Sequence, residues 1–135
     1  MSVFGDTSAL YALLVKTETA HKPVRAAFVR LLDTGQPIWI TSFVLVETMA
    51  LLQHRIGLDA ARDFDEEFVP SLSVYWVDDD LYRRGTERLW KEDRRQLSLV
   101  DCVTFEFMAL KDLTTAFAID PHFREAGFKL TPGAV

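Results

Sequence analysis

The spacing of apolar residues along the chain switches between a strand period and a helix period, and the switches fall on turn-forming residues. Val3-Phe4-Gly5 is a short apolar run ending in Asp6-Thr7-Ser8, after which Leu10, Leu13 and Leu14 recur at helical spacing. Val24, Phe28, Leu31 and Leu32 predict a second helix over 21–33, closed by Gly35, and Gln36-Pro37 leads into a strand over 38–40. Thr41-Ser42 supplies a cap for a third helix on which Phe43, Val46, Glu47 and Ala50 share one face. Gly57-Leu58-Asp59 breaks that pattern, and a short amphipathic helix follows through Ala60, Phe64, Glu67 and Phe68 to Pro70.

The second half repeats the alternation. A strand is predicted over 73–77, then a helix from Leu81 to about Arg95 with an apolar stripe of Leu81, Gly85 and Leu89. Ser98-Leu99-Val100-Asp101 has the spacing of a helix-opening box ahead of Val103, Phe105, Phe107, Met108 and Leu110. Residues 114–119 and 128–130 read as a fourth and a short fifth strand, and 132–135 as a loose tail. Strands alternating with helices imply an α/β fold with a mainly parallel sheet covered on both faces, and 135 residues fit a single domain over 1–135.

Composition narrows the chemistry. Hydrophobic residues at 49% and charged ones at 26% are ordinary for a folded globular chain and exclude disorder. The lone Cys102 permits no intrachain disulfide and no cysteine-based zinc site. No apolar stretch approaches the roughly 20 residues of a membrane span, and Met1 leads straight into a strand without a basic leader; the expectation is a soluble, cytoplasmic protein with no membrane association. A formal net charge of -5 argues against a nucleic-acid partner. Yet if four acids ligate metal, the remainder is close to neutral and bound cations reverse the local field, so charge does not decide the partner.

Four acids stand where strands end or helices begin: Asp6, Glu47, Asp101 and Asp120. In open α/β sheets ligands bind in the crevice beyond the carboxyl ends of the strands. Each acid also has a plain structural explanation. Asp120 before Pro121 is a common helix-capping pair, Asp101 fits the box opened by Ser98, and Asp6 is a competent cap, although Thr7 and Ser8 would serve equally. Glu47 is the most informative, because an isolated carboxylate on an apolar face must be compensated by metal, by an arginine or by unexpected exposure. Taken together, the four are expected to hold divalent cations, and an oxygen-only ligand set selects Mg²⁺ or Mn²⁺. Two such ions about 3.5–4 Å apart activate water and stabilise a leaving oxygen in phosphodiester cleavage.

Other features compete less well. Asp78-Asp79-Asp80 precedes a helix and reads as a cap with favourable first-turn charge. Arg84, Arg88, Lys91 and Arg95, at spacings of four, three and four, form a basic ridge for an RNA backbone or, with Glu87, Glu92 and Asp93 interspersed, a solvated mixed-charge face. There is no glycine-rich phosphate loop and no nucleophile elbow around Ser8, Ser42 or Ser98. His21, His54 and His122 show no convergent spacing, and His122 reads as a surface residue or an outer contact of the site. Cys102 reads as core.

Val-Phe-Gly-Asp-Thr-Ser at the start, Thr-Ser-Phe-Val-Leu-Val-Glu after the second strand, Leu-Ser-Leu-Val-Asp-Cys later and a final Ala-Phe-Ala-Ile-Asp-Pro-His-Phe occur in order across essentially the whole chain. Together they resemble a PIN domain, and more closely the VapC-like toxins of type II toxin-antitoxin pairs. The resemblance implies a three-layer α/β/α sandwich, an Mg²⁺- or Mn²⁺-dependent endoribonuclease using one or two ions, a homodimer, and inhibition by a cognate antitoxin. Position by position, Asp6, Glu47, Asp101 and Asp120 match the family's acidic quartet, and Thr7, Ser8 and Ser98 match polar residues that support it. Pro121 directly after the last acid departs from the usual pattern.

The implied reaction is water attack on an RNA phosphodiester. Asp6 and Asp101 hold the metal, Glu47 ligates or orients the water, and Asp120 ligates directly or through water. A non-catalytic RNA-binding or regulatory domain, and a metal-dependent phosphatase acting on a small substrate, use the same residues and stay open at this level.

Overall fold

In the computed structural model, residues 2–132 are described; among them are five strands in one sheet, all parallel, in the order β3-β2-β1-β4-β5. The strands are β1 (Val3–Gly5), β2 (Ile38–Thr41), β3 (Ser73–Tyr75), β4 (Thr115–Ala118) and β5 (Lys129–Pro132). The helices are α1 (Thr7–Leu14), α2 (His21–Asp33), α3 (Ser42–Arg55), α4 (Leu58–Asp63), α5 (Asp79–Glu92), α6 (Leu99–Leu110) and α7 (His122–Glu125). The result is a three-layer α/β/α sandwich, as the alternating pattern implies. Among the described residues, no helix is long and apolar enough to cross a membrane.

Strands covered on both faces carry almost no polar side chain, and this dictates the core. Phe4, Ile40, Ala116, Phe117 and Ala118 are wholly buried, with Ile38 nearly so. Aromatic rings complete the packing: Phe107 meets Phe4, Trp39 and Tyr75, while Phe105, Phe123 and Phe128 form a second cluster under α7. Cys102 is a buried free thiol whose pKa burial pushes up, so it is core as the sequence suggests.

Several boundaries differ from the sequence pattern. The short helix before β3 is α4 continuing into a π-helical turn (Phe64–Phe68) and a 3-10 turn (Val69–Ser71). On α3 the buried positions are Ser42, Val44, Thr48 and Leu52, whereas Val46 is 61% exposed and Ala50 is exposed, so the predicted Phe43-Val46-Glu47-Ala50 face is rotated away from the core. On α2 Leu32 is likewise exposed. Pro132 belongs to β5, paired with Ala118, and not to a tail; the rest of that predicted tail, 133–135, lies outside the described residues.

Helix α5 begins at Asp79, capped by the Asp78 carboxylate on the Leu81 N–H, and ends at Glu92, where the left-handed backbone of the C-cap Asp93 (φ 49°) closes the last turn. Arg95 therefore lies beyond the helix.

Strand β1 lies between β2 and β4, and the chain builds β2 and β3 on one side of it before crossing to β4 and β5 on the other. The carboxyl ends of β1 and β4 thus flank a topological switch point, where helices leaving adjacent strands diverge and a crevice opens. Helix α6, which follows the crossing segment, is held close to α5 by Gly85: a Cβ there would run into Cγ2 of Val103 and lie 3.3 Å from that residue's backbone N and Cα. Gly85→Ala is predicted to destabilise the protein by about 1–3 kcal/mol through overpacking, read as a lower urea midpoint at unchanged slope; an unchanged midpoint would show that the helices have room to separate.

Candidate metal centre

Asp6 is the residue after β1. Its backbone N–H bonds to Phe117 O of β4 at 2.9 Å, which fixes it at the seam between the two strands. Its Oδ2 caps α1 by accepting from the Ser8 N–H at 3.0 Å and from the Ser8 hydroxyl at 2.6 Å. The Ser8 oxygen in turn accepts from the Ile119 N–H at 3.1 Å, so a single hydroxyl ties the start of α1 to the exit of β4. The capping explanation of Asp6 is realised.

Asp101 is the third residue of α6 and forms the reciprocal box with Ser98: its N–H donates to the Ser98 hydroxyl at 3.0 Å while its Oδ2 accepts from the Ser98 N–H at 3.4 Å. Asp120 follows β4 by two residues, and its Oδ1 accepts from the His122 N–H at 2.9 Å, a local turn around Pro121. Pro121 thus leaves the acid aimed into the crevice.

Glu47 reaches the same crevice from α3. The register of that helix against α1 is set by a buried hydroxyl pair, Thr48 donating to Thr7 at 3.1 Å. Glu47 is half-buried at the rim, not on a core-facing stripe, and it makes no ion pair among the described residues. The arginine partner that could have neutralised it is absent there.

These contacts bring together the seven predicted acidic and supporting residues, Asp6, Thr7, Ser8, Glu47, Ser98, Asp101 and Asp120, around a cleft of about 370 Å³. Leu51 and Gln96 also line it and were not assigned to it by the sequence pattern; His122, read from the sequence as a surface residue or an outer contact of the site, lines it too. Among the described residues no lysine or arginine does. Asp101, Asp120 and His122 each offer a ligand atom within 4.8 Å of the others, and the buried His122 Nδ1 has no hydrogen-bond partner. An orphaned nitrogen and two carboxylates this close together suit a divalent cation, while Asp6 and Glu47 line the same cleft outside that group.

The basic ridge does not share this cleft. Arg84, Arg88 and Lys91 line a different one together with Glu87, Glu92 and Glu106. Arg88 is bound to Glu106 at 2.9 Å, stands 3.6 Å from Glu92 and lies over the Phe105 ring, and Arg84 lies 3.9 Å from Asp80. Arg95, past the end of α5, groups with Trp90 and Arg94. The four residues form no continuous ridge, because Asp93 turns the chain before Arg95 can take its helical place.

Electrostatics reflect the crowding. Burial, and after it the neighbouring Asp101 and Asp120 charges, push the Asp6 pKa up to about 7 against the Ser8 hydrogen bonds that oppose the rise. Asp101 is raised as well, chiefly by burial and then by Asp120. A carboxyl whose folded pKa exceeds its unfolded one binds more protons when folded, so its contribution to stability is present below the unfolded value and is lost as pH rises through the folded value. For Asp6 that window runs from 3.8 to about 7. Without metal, wild type should lose thermal stability relative to Asp6→Asn as pH rises across this window, and Mn²⁺ should restore it most at the upper end. Parallel wild-type and variant pH profiles in differential scanning fluorimetry would rule out a raised Asp6.

With the geometry in place, three comparisons bear on kinship. The family model described as PIN domain matches residues 3–129. The 23S rRNA-specific endonuclease VapC20 of Mycobacterium tuberculosis is 34% identical over 128 residues, covering 93% of this chain and 95% of that protein. The crystal structure of Mycobacterium tuberculosis VapC20, described as a Sarcin-Ricin loop cleaving toxin, matches with a TM-score of 0.82 at 32% identity over 93% of this chain and 95% of that one. The DNA-bound VapBC of Salmonella typhimurium matches with a TM-score of 0.69 at 17% identity, over 96% and 97% of the two chains, and shares the fold. The acidic cleft sits at the switch point of a sheet that these structures also build, and the chain belongs to the PIN-domain family.

Proposed function

We propose that this chain is a metal-dependent endoribonuclease and the toxin of a toxin-antitoxin pair. The observation that carries the reading is the convergence of Asp6, Glu47, Asp101 and Asp120 on one cleft that no lysine or arginine lines among the described residues. The likeness to a 23S rRNA-specific endonuclease across nearly the whole of both chains supports RNA as the substrate, and ribosomal RNA as the first RNA to try. A cognate antitoxin is the partner that the likeness to VapBC complexes suggests, and a homodimer is the assembly expected with it.

Asp101 and Asp120 are the pair best placed to hold Mg²⁺ or Mn²⁺, one ion or two, with Asp6 beside them. When bound, such a cation lowers the pKa of a coordinated water and polarises the phosphoryl oxygens. The residues of the chain do the rest. The Ser8 hydrogen bonds hold Asp6 at a fixed orientation, and the Ser98 box does the same for Asp101, so ligand positions are set before substrate arrives. Glu47, at the half-open rim, orients the water that attacks the phosphorus. Lys91 and Arg95 carry no ion pair among the described residues and are the members of the predicted basic set free to meet the RNA backbone, whereas Arg84 and Arg88 are occupied by acids.

Purified protein freed of any antitoxin should cut RNA with Mg²⁺ or Mn²⁺ and stop with chelator. Folded Asp6→Asn and Asp101→Asn variants should each lose about a hundredfold or more of the rate, as removal of a ligand exceeds the usual cost of an outer-sphere change. Cleavage that survives both substitutions, or turnover of a small phosphomonoester with RNA left intact, would overturn the reading.

A further inference from the structure

His122 is the residue of the cleft that the acidic quartet does not account for. Its Nδ1 lies 3.3 Å from Asp120 Oδ1 and 3.5 Å from Asp101 Oδ2, is buried, and makes a hydrogen bond to neither. A buried ring nitrogen without a partner is costly, and native structures rarely keep one without a use. The ring is not there by looseness of the chain. The N–H of His122 is tied to Asp120 Oδ1, Pro121 fixes the preceding backbone at φ −64°, and the next residue, Phe123, is wholly buried against Phe105 and Phe128. Backbone and anchor together press the imidazole edge against the two carboxylates.

From this geometry we infer that His122 is itself a metal ligand through Nδ1, making the centre a mixed nitrogen and oxygen site formed by Asp101, Asp120 and His122. This rests on the metal-centre reading above and goes beyond it in predicting which cations the site prefers. The three ligand atoms lie within 4.8 Å of one another, and oxygens on opposite sides of a small divalent ion at about 2.1 Å each are about 4.2 Å apart, so small side-chain rotations close the set. Imidazole suits transition metals, while Mg²⁺ takes oxygen donors and water. The site should therefore discriminate in favour of Mn²⁺ and Co²⁺ beyond what four carboxylates would.

The test is a pulsed electron paramagnetic resonance experiment on the Mn²⁺-loaded protein, paired with calorimetric titration of Mn²⁺ and Mg²⁺. Wild type should show nitrogen modulation from a directly bound imidazole, absent from His122→Ala and His122→Gln. Both variants should bind Mn²⁺ at least about tenfold more weakly, with Mg²⁺ affinity much less affected. Tight Mn²⁺ binding that depends on Asp101 but shows no nitrogen modulation would overturn the ligand assignment and leave the carboxylate centre standing. Absence of any Mn²⁺ binding sensitive to Asp101→Asn would overturn both.

Discussion

Two carboxylates, Asp101 and Asp120, brought within a few ångströms of each other in a half-dry cleft that a third buried acid, Asp6, also lines, with no lysine or arginine lining it among the described residues, are an arrangement that proteins rarely tolerate without compensation. Here the consequence is visible in Asp6 and Asp101, which burial and mutual repulsion drive toward the protonated form. The fold makes the crowding unavoidable. Asp6 is pinned to the β1–β4 seam by its own backbone hydrogen bond, Asp120 leaves β4 beside it, and the box at the start of α6 fixes Asp101 opposite. None of the three acids can withdraw without breaking an element boundary, so relief has to come from protons or from cations.

The hydroxyl groups around the cleft act on the same constraint from the outside. Ser8 bridges α1 to the exit of β4, Thr7 and Thr48 lock α3 to α1, and Ser98 opens α6. Ser8 and the Thr7–Thr48 pair each join two elements, and Ser98 fixes the start of one, at places where an acid projects. A serine or threonine can satisfy backbone donors and carboxylates at once without adding charge, which a lysine could not do without neutralising the site.

Much of this was legible in the chain. Strand β1 and the bounds of α2 follow directly from the apolar pattern, and Asp6, Asp101 and Asp120 are visible as acids at strand exits or helix starts because those boundaries carry strong local signals. The cleft itself needs the order β3-β2-β1-β4-β5, which no local pattern encodes. Glu47 was found for a reason that the structure revises: Val44, Thr48 and Leu52 face the core, so the apolar residues beside Glu47 are partly solvent-facing and the helical phase cannot be read from hydrophobicity alone. Arg95 drops out of the basic ridge because Asp93 adopts a left-handed conformation that spacing does not reveal, while Arg84, Arg88 and Lys91 stay together on α5. His122 was undervalued because its proximity to Asp101 is a tertiary contact, although the short Asp-Pro-His turn that places it beside Asp120 was present in the sequence.

Whether these carboxylates hold a divalent cation is decided by a crystal of the protein grown with Mn²⁺ and measured above the manganese absorption edge. An anomalous difference peak is expected between Asp101 and Asp120, within coordinating distance of both and next to Asp6, and its loss in Asp101→Asn. An empty cleft at saturating Mn²⁺ and neutral pH, or a peak seated elsewhere on the chain, would contradict it.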